Sequence, residues 1–193
     1  KLNKVVESRP GEIIFGLTML VSKGRTVFVA DTNVHDNPTA EQLVEIAISS
    51  TRVARLFGFD PKVAFLSHST FGKPSTVRTK HVREAMELMK TKKIDFEYDG
   101  EMQPDVALNP EYKASYPFSK IVGNANILIM PALHSASISV KLMKTFGGAK
   151  LIGPLLIGLG LPIEIAPLRS SPSDILNLAS IAAYSSEVID YKN

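Results

Sequence analysis

Apolar and polar residues follow one another along this chain in two patterns, short continuous apolar runs and stretches of helical period, and residues 123–158 show both. The run 126–130 is typical of a strand that is covered on both faces. A helix is predicted at 135–146, where two glycines end it, and 150–157 follows as a second buried strand. Together these elements predict a βαβ unit, which requires a parallel sheet and a right-handed crossover.

The helical period also predicts which side of each helix faces the core. In the helix at 135–146 the apolar residues form one stripe, which we expect to point inward. That stripe consists of Ile138, Leu142, Met143 and Phe146. The inward residues predicted for the other helices are Leu43, Ile46, Ala47, Ser50, Val53 and Phe57, then Val82, Ala85, Met86 and Met89, and finally Ile175, Leu178, Ala179 and Ala182.

The rest of the chain continues this succession of strands and helices. Residues 13–21 and 25–30 predict a hairpin with Gly24 in its turn, and residues 37–39 (NPT) open a helix that Gly58 ends. The other predicted elements are strands at 62–66, 95–101 and 161–165, helices at 77–90 and 172–189, and a short helix with a loop at 103–113. The predicted fold class is α/β, with a parallel-rich sheet flanked by helices.

Composition narrows the class of protein. The 193 residues are 45% apolar, and no apolar run approaches the roughly 20 residues that span a bilayer. The absence of cysteine excludes disulfides, thiolate metal sites and cysteine nucleophiles. A net charge of +3 is too small to indicate nucleic-acid binding. We therefore expect a cytoplasmic globular domain that binds neither membrane nor nucleic acid, and the first residue, Lys1, suggests a piece of a longer protein.

Two groups of polar residues are candidates for binding an anion. Residues 67–72 form a polar loop at the end of a predicted strand, the edge at which ligands bind in open α/β sheets. Ser135, Ser137 and Ser139 lie at the start of the predicted helix, where free amides and hydroxyls make an anion site. Ordinary N-capping explains one of these serines equally well.

A third candidate is the start of the predicted helix at 77–90. Its first turns carry four basic side chains, a placement that opposes the helix dipole and costs a little stability. These side chains form either a solvated face or a site for an anionic ligand. They are Arg78, Lys80, His81 and Arg83.

The acidic residues leave similar alternatives open. Asp99, Glu101 and Asp105 could hold a divalent cation through oxygens, or could form an acidic strand end that bonds to neighbouring loops. Asp174 stands three residues after Ser171, the spacing of a capping box, which gives it a structural role. No metal-ligand spacing connects the four histidines, and no dinucleotide or Walker phosphate motif is present.

Four motifs resemble those of the phosphate acetyl/butyryltransferases. Residues 66–72 (LSHSTFG) are similar to the LS(F/Y)STxG segment of that family, and 99–105 (DGEMQPD) to its DGE(L/M)xxD segment. Residues 123–131 resemble GxANxxIxP, and 153–158 resemble GPxxxG. The motifs keep the family's order along nearly the whole chain. The resemblance implies that residues 1–193 are the C-terminal part of such a domain, with a fold like that of isocitrate and isopropylmalate dehydrogenases.

Three further segments resemble one branch, the C-terminal transacetylase-like domain of bacterial NADP-dependent malic enzymes: 29–35 (VADTNVH), 98–102 (YDGEM) and 134–139 (HSASIS). This resemblance implies a regulatory domain that binds acetyl-CoA or a related acyl-CoA as an allosteric effector and supports a homo-oligomer. The malate-oxidising domains of the same chain, with their NADP and divalent metal, would lie outside this sequence. The fragment itself would carry no cofactor or metal.

One departure from the family pattern bears on catalysis. Active transacetylases carry a Ser-Arg pair shortly before an aspartate that matches Asp174, and here Pro167 and Leu168 occupy the two positions. The family resemblance implies that the serine and aspartate help to deprotonate the CoA thiol and that the arginine holds phosphate or substrate. Proline has no hydroxyl, leucine has no charge, and Arg169 lies one residue late. The sequence therefore predicts a domain without phosphate acetyltransferase activity.

Three functions remain open from the sequence. The first is an acetyl-CoA-binding regulatory domain. The second is an active phosphate acetyltransferase converting acetyl-CoA and phosphate to acetyl phosphate and CoA, which Arg169 and Asp174 would support. The third is a structural assembly module. For the first, the predicted ligand-binding residues are Ser67, Ser69, Thr70, Gly72, Arg78, Arg83, Ser137, Lys141 and Arg169.

Overall fold

The computed structural model describes residues 6–73, 76 and 79–188. In chain order its elements are β1 (Phe15–Ser22), β2 (Arg25–Ala30), α1 (Ala40–Leu56), β3 (Lys62–Leu66), α2 (Lys80–Thr91), β4 (Glu97–Met102), α3 (Pro104–Leu108), α4 (Pro110–Lys113), β5 (Ile127–Ile129), α5 (Leu133–Thr145), β6 (Lys150–Ile157) and α6 (Pro172–Val188). In this described part, no helix combines the length and the apolar character needed to cross a membrane.

All six strands lie in one sheet, in the order β4-β3-β5-β2-β1-β6. Strands β4, β3, β5 and β2 pair in parallel, whereas β1 pairs antiparallel with both β2 and β6. Strand β6 therefore points in the same direction as the parallel strands. It is also parallel to β5, as the predicted βαβ unit requires, with β2 and β1 lying between them. The predicted parallel-rich α/β sheet is confirmed.

The hairpin between β1 and β2 is confirmed in its details. Ser22 pairs with Arg25, so the turn consists of Lys23 and Gly24. Both residues have positive φ, 51° and 72°, the conformation of the two-residue turn whose twist matches the strands that it joins. Glycine at the second position adopts that conformation without steric cost.

The central strands bury alternate residues in two separate cores. Phe28, Val63 and Phe65 belong to the core beneath α1 and α2. Ala64 and Leu128 belong to the core beneath α3 and α5. Because successive side chains of a strand point to opposite faces, both faces of β2, β3 and β5 are covered, as their continuous apolar runs predicted.

Helix α1 lies as predicted, and α2 (Lys80–Thr91) covers most of the predicted 77–90, of which residues 77 and 78 lie outside the described part of the chain. Thr39 caps α1. Its hydroxyl accepts from the Gln42 amide at 3.3 Å, and the side-chain oxygen of Gln42 accepts from the Thr39 amide at 2.9 Å. The five inward residues predicted for α1 up to Val53 are buried, and Phe57 packs partly buried against them. All four residues predicted for α2 are also buried: Val82, Ala85, Met86 and Met89.

The prediction for α5 is wrong about which side faces the core. The helix runs over Leu133–Thr145, but it buries Ala136 and Val140 rather than the larger apolar residues. The predicted stripe is exposed instead: Ile138, Leu142, Met143 and, at 95% exposure, Phe146. Helical period shows which residues share a face, but it does not show which face meets the sheet. Small side chains face the sheet here.

The predictions for β6 and the segment after it are also corrected. Strand β6 lies at the edge of the sheet, where only Leu155 and Leu156 are buried. Residues 161–165 form no strand; a single bridge joins Glu164 to Leu155. The apolar residues of both segments resemble those of interior strands, since sequence does not distinguish an edge from the centre of a sheet.

Helix α6 is present with the predicted start, but it packs less fully than predicted. Leu178 is buried, and Ile181 packs partly buried against the same core. Ile175 is 52% exposed, Ala179 is also exposed, and Ala182 is half-buried. Apolar residues occur all around this helix, so its sequence pattern does not select a single inward face.

Candidate functional site

A cleft of about 330 Å³ lies where α5 and α6 approach strands β1 and β6. We call it the β6–α6 cleft. It brings together five of the candidate site residues from the sequence analysis, Ser137, Lys141, Pro167, Arg169 and Asp174. Leu168, whose side chain is fully exposed, does not line it. The remaining lining residues are Thr18, Thr32, Asn33, Val140, Lys144, Leu151, Ile152, Gly153, Pro154, Ser170, Asn177 and Leu178.

The charged side chains of the cleft are mostly basic. Lys141 and Lys144 enter from α5 and Arg169 from the segment before α6, against a single carboxylate, Asp174, among the described lining residues. The Nζ of Lys141 donates to the Ser137 hydroxyl one turn earlier at 2.9 Å. Three cations around one concave surface raise the local concentration of anions, so the cleft suits a ligand that carries phosphate.

Glycine shapes one wall of the cleft. Gly153 has a φ of +114°, and a Cβ there would lie 2.9 Å from the carbonyl oxygen of Leu17. The pairing of β6 with β1 shifts register close by, between Leu17 and Met19. A side chain at residue 153 would be strained in any conformation that keeps this contact. Glycine therefore allows the two backbones to approach each other at this wall of the cleft.

Asp31 holds the loop that forms another wall of the β6–α6 cleft. Its buried carboxylate accepts amide hydrogen bonds from Gly16 at 2.9 Å and Asn33 at 2.8 Å. It also accepts from the amide of Val34 at 3.1 Å and from both the amide and ring Nδ1 of His35 at 2.8 Å. These bonds fix the backbone of the loop that carries Thr32 and Asn33. The sequence analysis missed this role, although an aspartate directly after a buried strand is a usual signal for it.

Hydroxyl groups fix the same wall from β1. Thr32 donates from Oγ1 to the carbonyl oxygen of Gly16 at 3.2 Å, so the hydroxyl of Thr18 is the donor in its 2.8 Å bond to Thr32. Both threonines are buried to more than nine-tenths. The wall is therefore preorganised, which reduces the ordering that a ligand must impose.

Asp174 is engaged at the start of α6, as its capping-box spacing predicted. Its Oδ2 accepts from the Ser171 amide at 2.9 Å and from the Ser171 hydroxyl at 2.8 Å, and its own amide donates back to that hydroxyl at 3.2 Å. The amide and then the hydroxyl of Ser171 lower the pKa of Asp174, and Lys144 and Lys150 lower it further. A carboxylate held in this way is a weak base.

The other predicted ligand residues lie in a second polar region around Glu101, which we call the Glu101 network. Glu101 is buried and accepts from the Ser69 hydroxyl at 2.9 Å and the Gly72 amide at 3.1 Å. Ser67 lies behind it, with its Oγ 3.2 Å from that of Ser69. The Thr70 hydroxyl accepts from an amide of the β4–α3 connection at 3.1 Å. None of these residues lines the β6–α6 cleft.

Arg83 closes the Glu101 network from α2. Its guanidinium lies 3.6 Å from the Glu101 carboxylate and donates to the Thr79 hydroxyl at 2.7 Å. The side chain is still 34% exposed, so one side of it faces solvent. Arg78, which the sequence analysis placed beside it, lies outside the described residues. Ligand contact by Arg83 therefore competes with an existing structural partner.

The acidic residues near β4 bond to the protein itself. Asp99 accepts amide hydrogen bonds from Gly100 at 2.9 Å and from Lys120 at 2.7 Å. The Asp105 carboxylate accepts from the Val106 amide at 2.9 Å. These contacts agree with the alternative of an acidic strand end that bonds to neighbouring loops.

Two residues of the β6–α6 cleft were missed from the sequence although helical spacing could have indicated them. Lys144 follows Ser137 and Lys141 at helical spacing, so all three share one side of α5. Asn177 likewise follows Asp174 on α6. Thr18 had no such signal, because its position in the cleft depends on the pairing of β1 with β6.

Comparison with known proteins places these features in a family. Residues 1–183 match the family described as phosphate acetyl/butaryl transferase. An NADP-dependent malic enzyme of Rhizobium meliloti strain 1021 is 48% identical over 183 residues, which are 95% of this chain and 24% of that protein. A phosphate acetyltransferase of Clostridium acetobutylicum is 36% identical over 188 residues, which are 92% of this chain and 56% of that protein.

Solved structures show the same likeness. A phosphotransacetylase from Streptococcus pyogenes matches with a TM-score of 0.87 and 34% identity, over 94% of this chain and 56% of that one. The EutD phosphotransacetylase from Staphylococcus aureus matches with a TM-score of 0.86 and 30% identity, over 95% and 57%. The chain thus spans about a quarter of its malic-enzyme relative and little more than half of these transferases. It belongs to the phosphate acetyl/butaryl transferase family.

Proposed function

We propose that this chain is a regulatory, non-catalytic transacetylase-like domain of an NADP-dependent malic enzyme, and that it binds acetyl-CoA as an allosteric effector and supports oligomer assembly. The observation that carries the proposal is the β6–α6 cleft itself. It combines three cations with a catalytic position from which the hydroxyl and the guanidinium are missing. The 48% identity to a malic enzyme supports the proposed parent protein.

The charges of the cleft support binding of an acyl-CoA. CoA carries several phosphate oxygens, and Lys141, Lys144 and Arg169 are placed to pair with them. Ser137, Thr32 and Asn33 add hydroxyl and amide groups that can orient a polar ligand. The predicted contacts of Ser67, Ser69, Thr70, Gly72, Arg78 and Arg83 remain part of the proposal as an outlying subsite, secondary to the cleft.

The missing groups support the absence of turnover. Transfer of an acetyl group to CoA needs a base for the thiol, whose pKa is close to that of a free cysteine, about 8.5, and transfer from CoA to phosphate needs the same group to return the proton to the departing thiolate. Both directions need a cation at the reacting centre. Pro167 supplies no hydroxyl and Leu168 is apolar and points to solvent. Asp174 is bonded to Ser171 and has a lowered pKa. General-base and electrostatic assistance typically contribute about 10²–10⁴-fold each, so their loss leaves a binding site.

The exposed stripe of α5 supports the assembly role. Ile138, Leu142, Met143 and Phe146 lie together on its outer side, each at least 41% exposed. Soluble proteins rarely leave such a stripe uncovered, and exposed apolar patches mark interaction surfaces. We propose that a second copy covers it. The same proposal includes malate-oxidising domains in the same chain, with their NADP and divalent metal. It also includes a two-lobed fold like that of isocitrate dehydrogenase.

Calorimetry of acetyl-CoA with the full-length protein, in the presence of phosphate, tests the proposal. We expect heat that saturates at a fixed stoichiometry, with no free thiol released. Heat that continues with every injection and is accompanied by free thiol would establish the active phosphate acetyltransferase instead. Absence of heat would leave assembly as the role of the domain.

A further inference from the structure

A second cleft, of about 360 Å³, lies at the other end of α6. It is bounded by α1, β6 and α6, and most of its lining is apolar, including Val53, Leu56, Leu155 and Ile181. One titratable side chain, Glu164, enters it from the segment between β6 and α6. We call residues 159–171 the connecting segment.

The connecting segment determines where Arg169 lies. It leaves the end of β6, returns alongside that strand, and ends at Ser171, which caps α6. Three of its residues line the β6–α6 cleft: Pro167, Arg169 and Ser170. The cation contributed by Arg169 therefore stays in place only while the segment stays against the sheet.

Glu164 attaches the middle of this segment to the sheet. Its Oε2 accepts the amide hydrogen of Leu156 at 3.2 Å, and the backbone forms a bridge between Leu155 and Glu164. Both partners belong to the edge strand β6. A bond from an edge-strand amide to a side chain satisfies a group that no neighbouring strand can reach.

The surroundings of Glu164 disfavour its charged form. Arg9, Glu12 and Arg52 line the same cleft, where Arg52 lies 2.7 Å and Arg9 4.0 Å from the Glu12 carboxylate, so both arginines are directed at Glu12 and one net positive charge remains on that side of the cleft. The lining residues from β6 and α6 carry no charge. Burial raises the pKa of Glu164 to about 8, and the Leu156 amide opposes this only in part.

We propose that Glu164 is a pH-sensitive latch for the β6–α6 cleft: protonated, it holds the connecting segment and Arg169 in place, and ionised, it releases them. The inference rests on the proposed function, because it assigns a regulation to the same anion-binding cleft. A carboxylate formed in the apolar cleft lowers its free energy by moving into water. The segment moves with it, and one of the three cleft cations is withdrawn.

The direction of the pH dependence follows from the two states. The carboxyl binds its proton more tightly in the closed state than in the open one, so closure is most stable below the ordinary glutamate pKa of 4.5. Opening then increases by up to about tenfold per pH unit and levels off above about pH 8. Affinity for acetyl-CoA falls over the same interval if the cleft needs Arg169.

The test is amide hydrogen exchange of residues 156 and 159–171 in the full-length protein between pH 5.5 and 9, corrected for the intrinsic pH dependence of exchange. It compares the unmodified protein, Glu164→Gln and the control Glu111→Gln on exposed helix α4. Opening should increase with pH in the unmodified protein and the control, and stay flat in Glu164→Gln. The affinity for acetyl-CoA, titrated at the same pH values, should fall with pH in the unmodified protein and the control but not in Glu164→Gln.

Each outcome decides a separate step. Equal exchange profiles in the unmodified protein and Glu164→Gln overturn the latch. Different exchange profiles with equal pH dependence of affinity overturn its link to the cleft. Different profiles without acetyl-CoA binding at any pH support the latch and overturn the proposed function. If Glu164→Gln loses its fold, a flat exchange profile in the unmodified protein still overturns the proposal.

Discussion

The two ends of the sheet hold their glutamates in opposite ways, and Glu101 is buried whereas Glu164 is half-buried. On the β3–β4 side, Glu101 accepts from Ser69 and Gly72 and lies beside the guanidinium of Arg83. On the β6 side, Glu164 accepts from the Leu156 amide and lies in a cleft whose lining is mostly apolar. The comparison shows that burial alone does not decide the effect of a carboxylate on stability. The number of donors around it does.

Replacing Glu101 with alanine gives the largest expected effect. The change leaves the Ser69 hydroxyl, the Gly72 amide and part of the Arg83 charge without their acceptor, so the free energy of unfolding should fall by about 3–5 kcal/mol. Urea denaturation measures it, with Glu111→Ala as the exposed control. A loss below about 1 kcal/mol would show that the network is not a structural unit.

Replacing Glu164 with glutamine should stabilise the protein. Because the pKa of Glu164 is raised from 4.5 to about 8 in the folded state, its ionisation favours the unfolded chain, and stability is lost as the pH rises from 4.5 towards 8. Glutamine removes that loss, so the gain should be at most about 4 kcal/mol at pH 8 and near zero at pH 4.5. Thermal unfolding at both pH values measures it, and a gain that does not depend on pH would contradict the assigned cause.

The double substitution Lys141→Ala and Lys144→Ala should affect binding rather than stability. Both side chains are exposed on α5, so unfolding should change little, while affinity for acetyl-CoA should fall about tenfold, or 1.4 kcal/mol. The loss should be larger at low salt, because such charges are screened. Lys90→Ala on α2 is the matched control. Unchanged affinity would remove the lysines from the binding site.

Ser69→Ala should have the smallest effect. The hydroxyl donates to Glu101 at 2.9 Å, and Gly72 and Arg83 remain to satisfy the carboxylate. The free energy of unfolding should therefore fall by about 1 kcal/mol. A loss as large as that of Glu101→Ala would mean that Ser69, rather than the arginine, is the essential partner.

Sequence patterns predicted where helices and strands occur better than they predicted which faces of those elements pack against the core. The hairpin, α1 and α2 were predicted with their inward residues, because a turn, a cap and one clear apolar face agree with one another there. For α5 the period was correct but the inward face was not, and for α6 only Leu178 of the predicted inward residues is buried, because apolar residues also cover surfaces that meet no part of the described chain. Period cannot separate these two kinds of face.

The candidate site shows the same limit. Ser137 and Lys141 could be placed together because they share one side of a helix, and the Ser171–Asp174 capping box follows from its spacing. Thr18 and Glu164 could not be predicted, since their positions depend on which strand lies at the edge of the sheet. The separation of Ser69 and Arg83 from the cleft likewise follows from sheet order, which local patterns do not encode.

The short strand β5 has a consequence for how the molecule comes apart. It contains only Ile127, Leu128 and Ile129, yet it is the strand that joins the β3–β4 pair to the β2–β1–β6 group. Its side chains contribute to both cores. Neither group of strands therefore has a complete interior of its own, and the described chain should unfold in one cooperative transition despite its two cores.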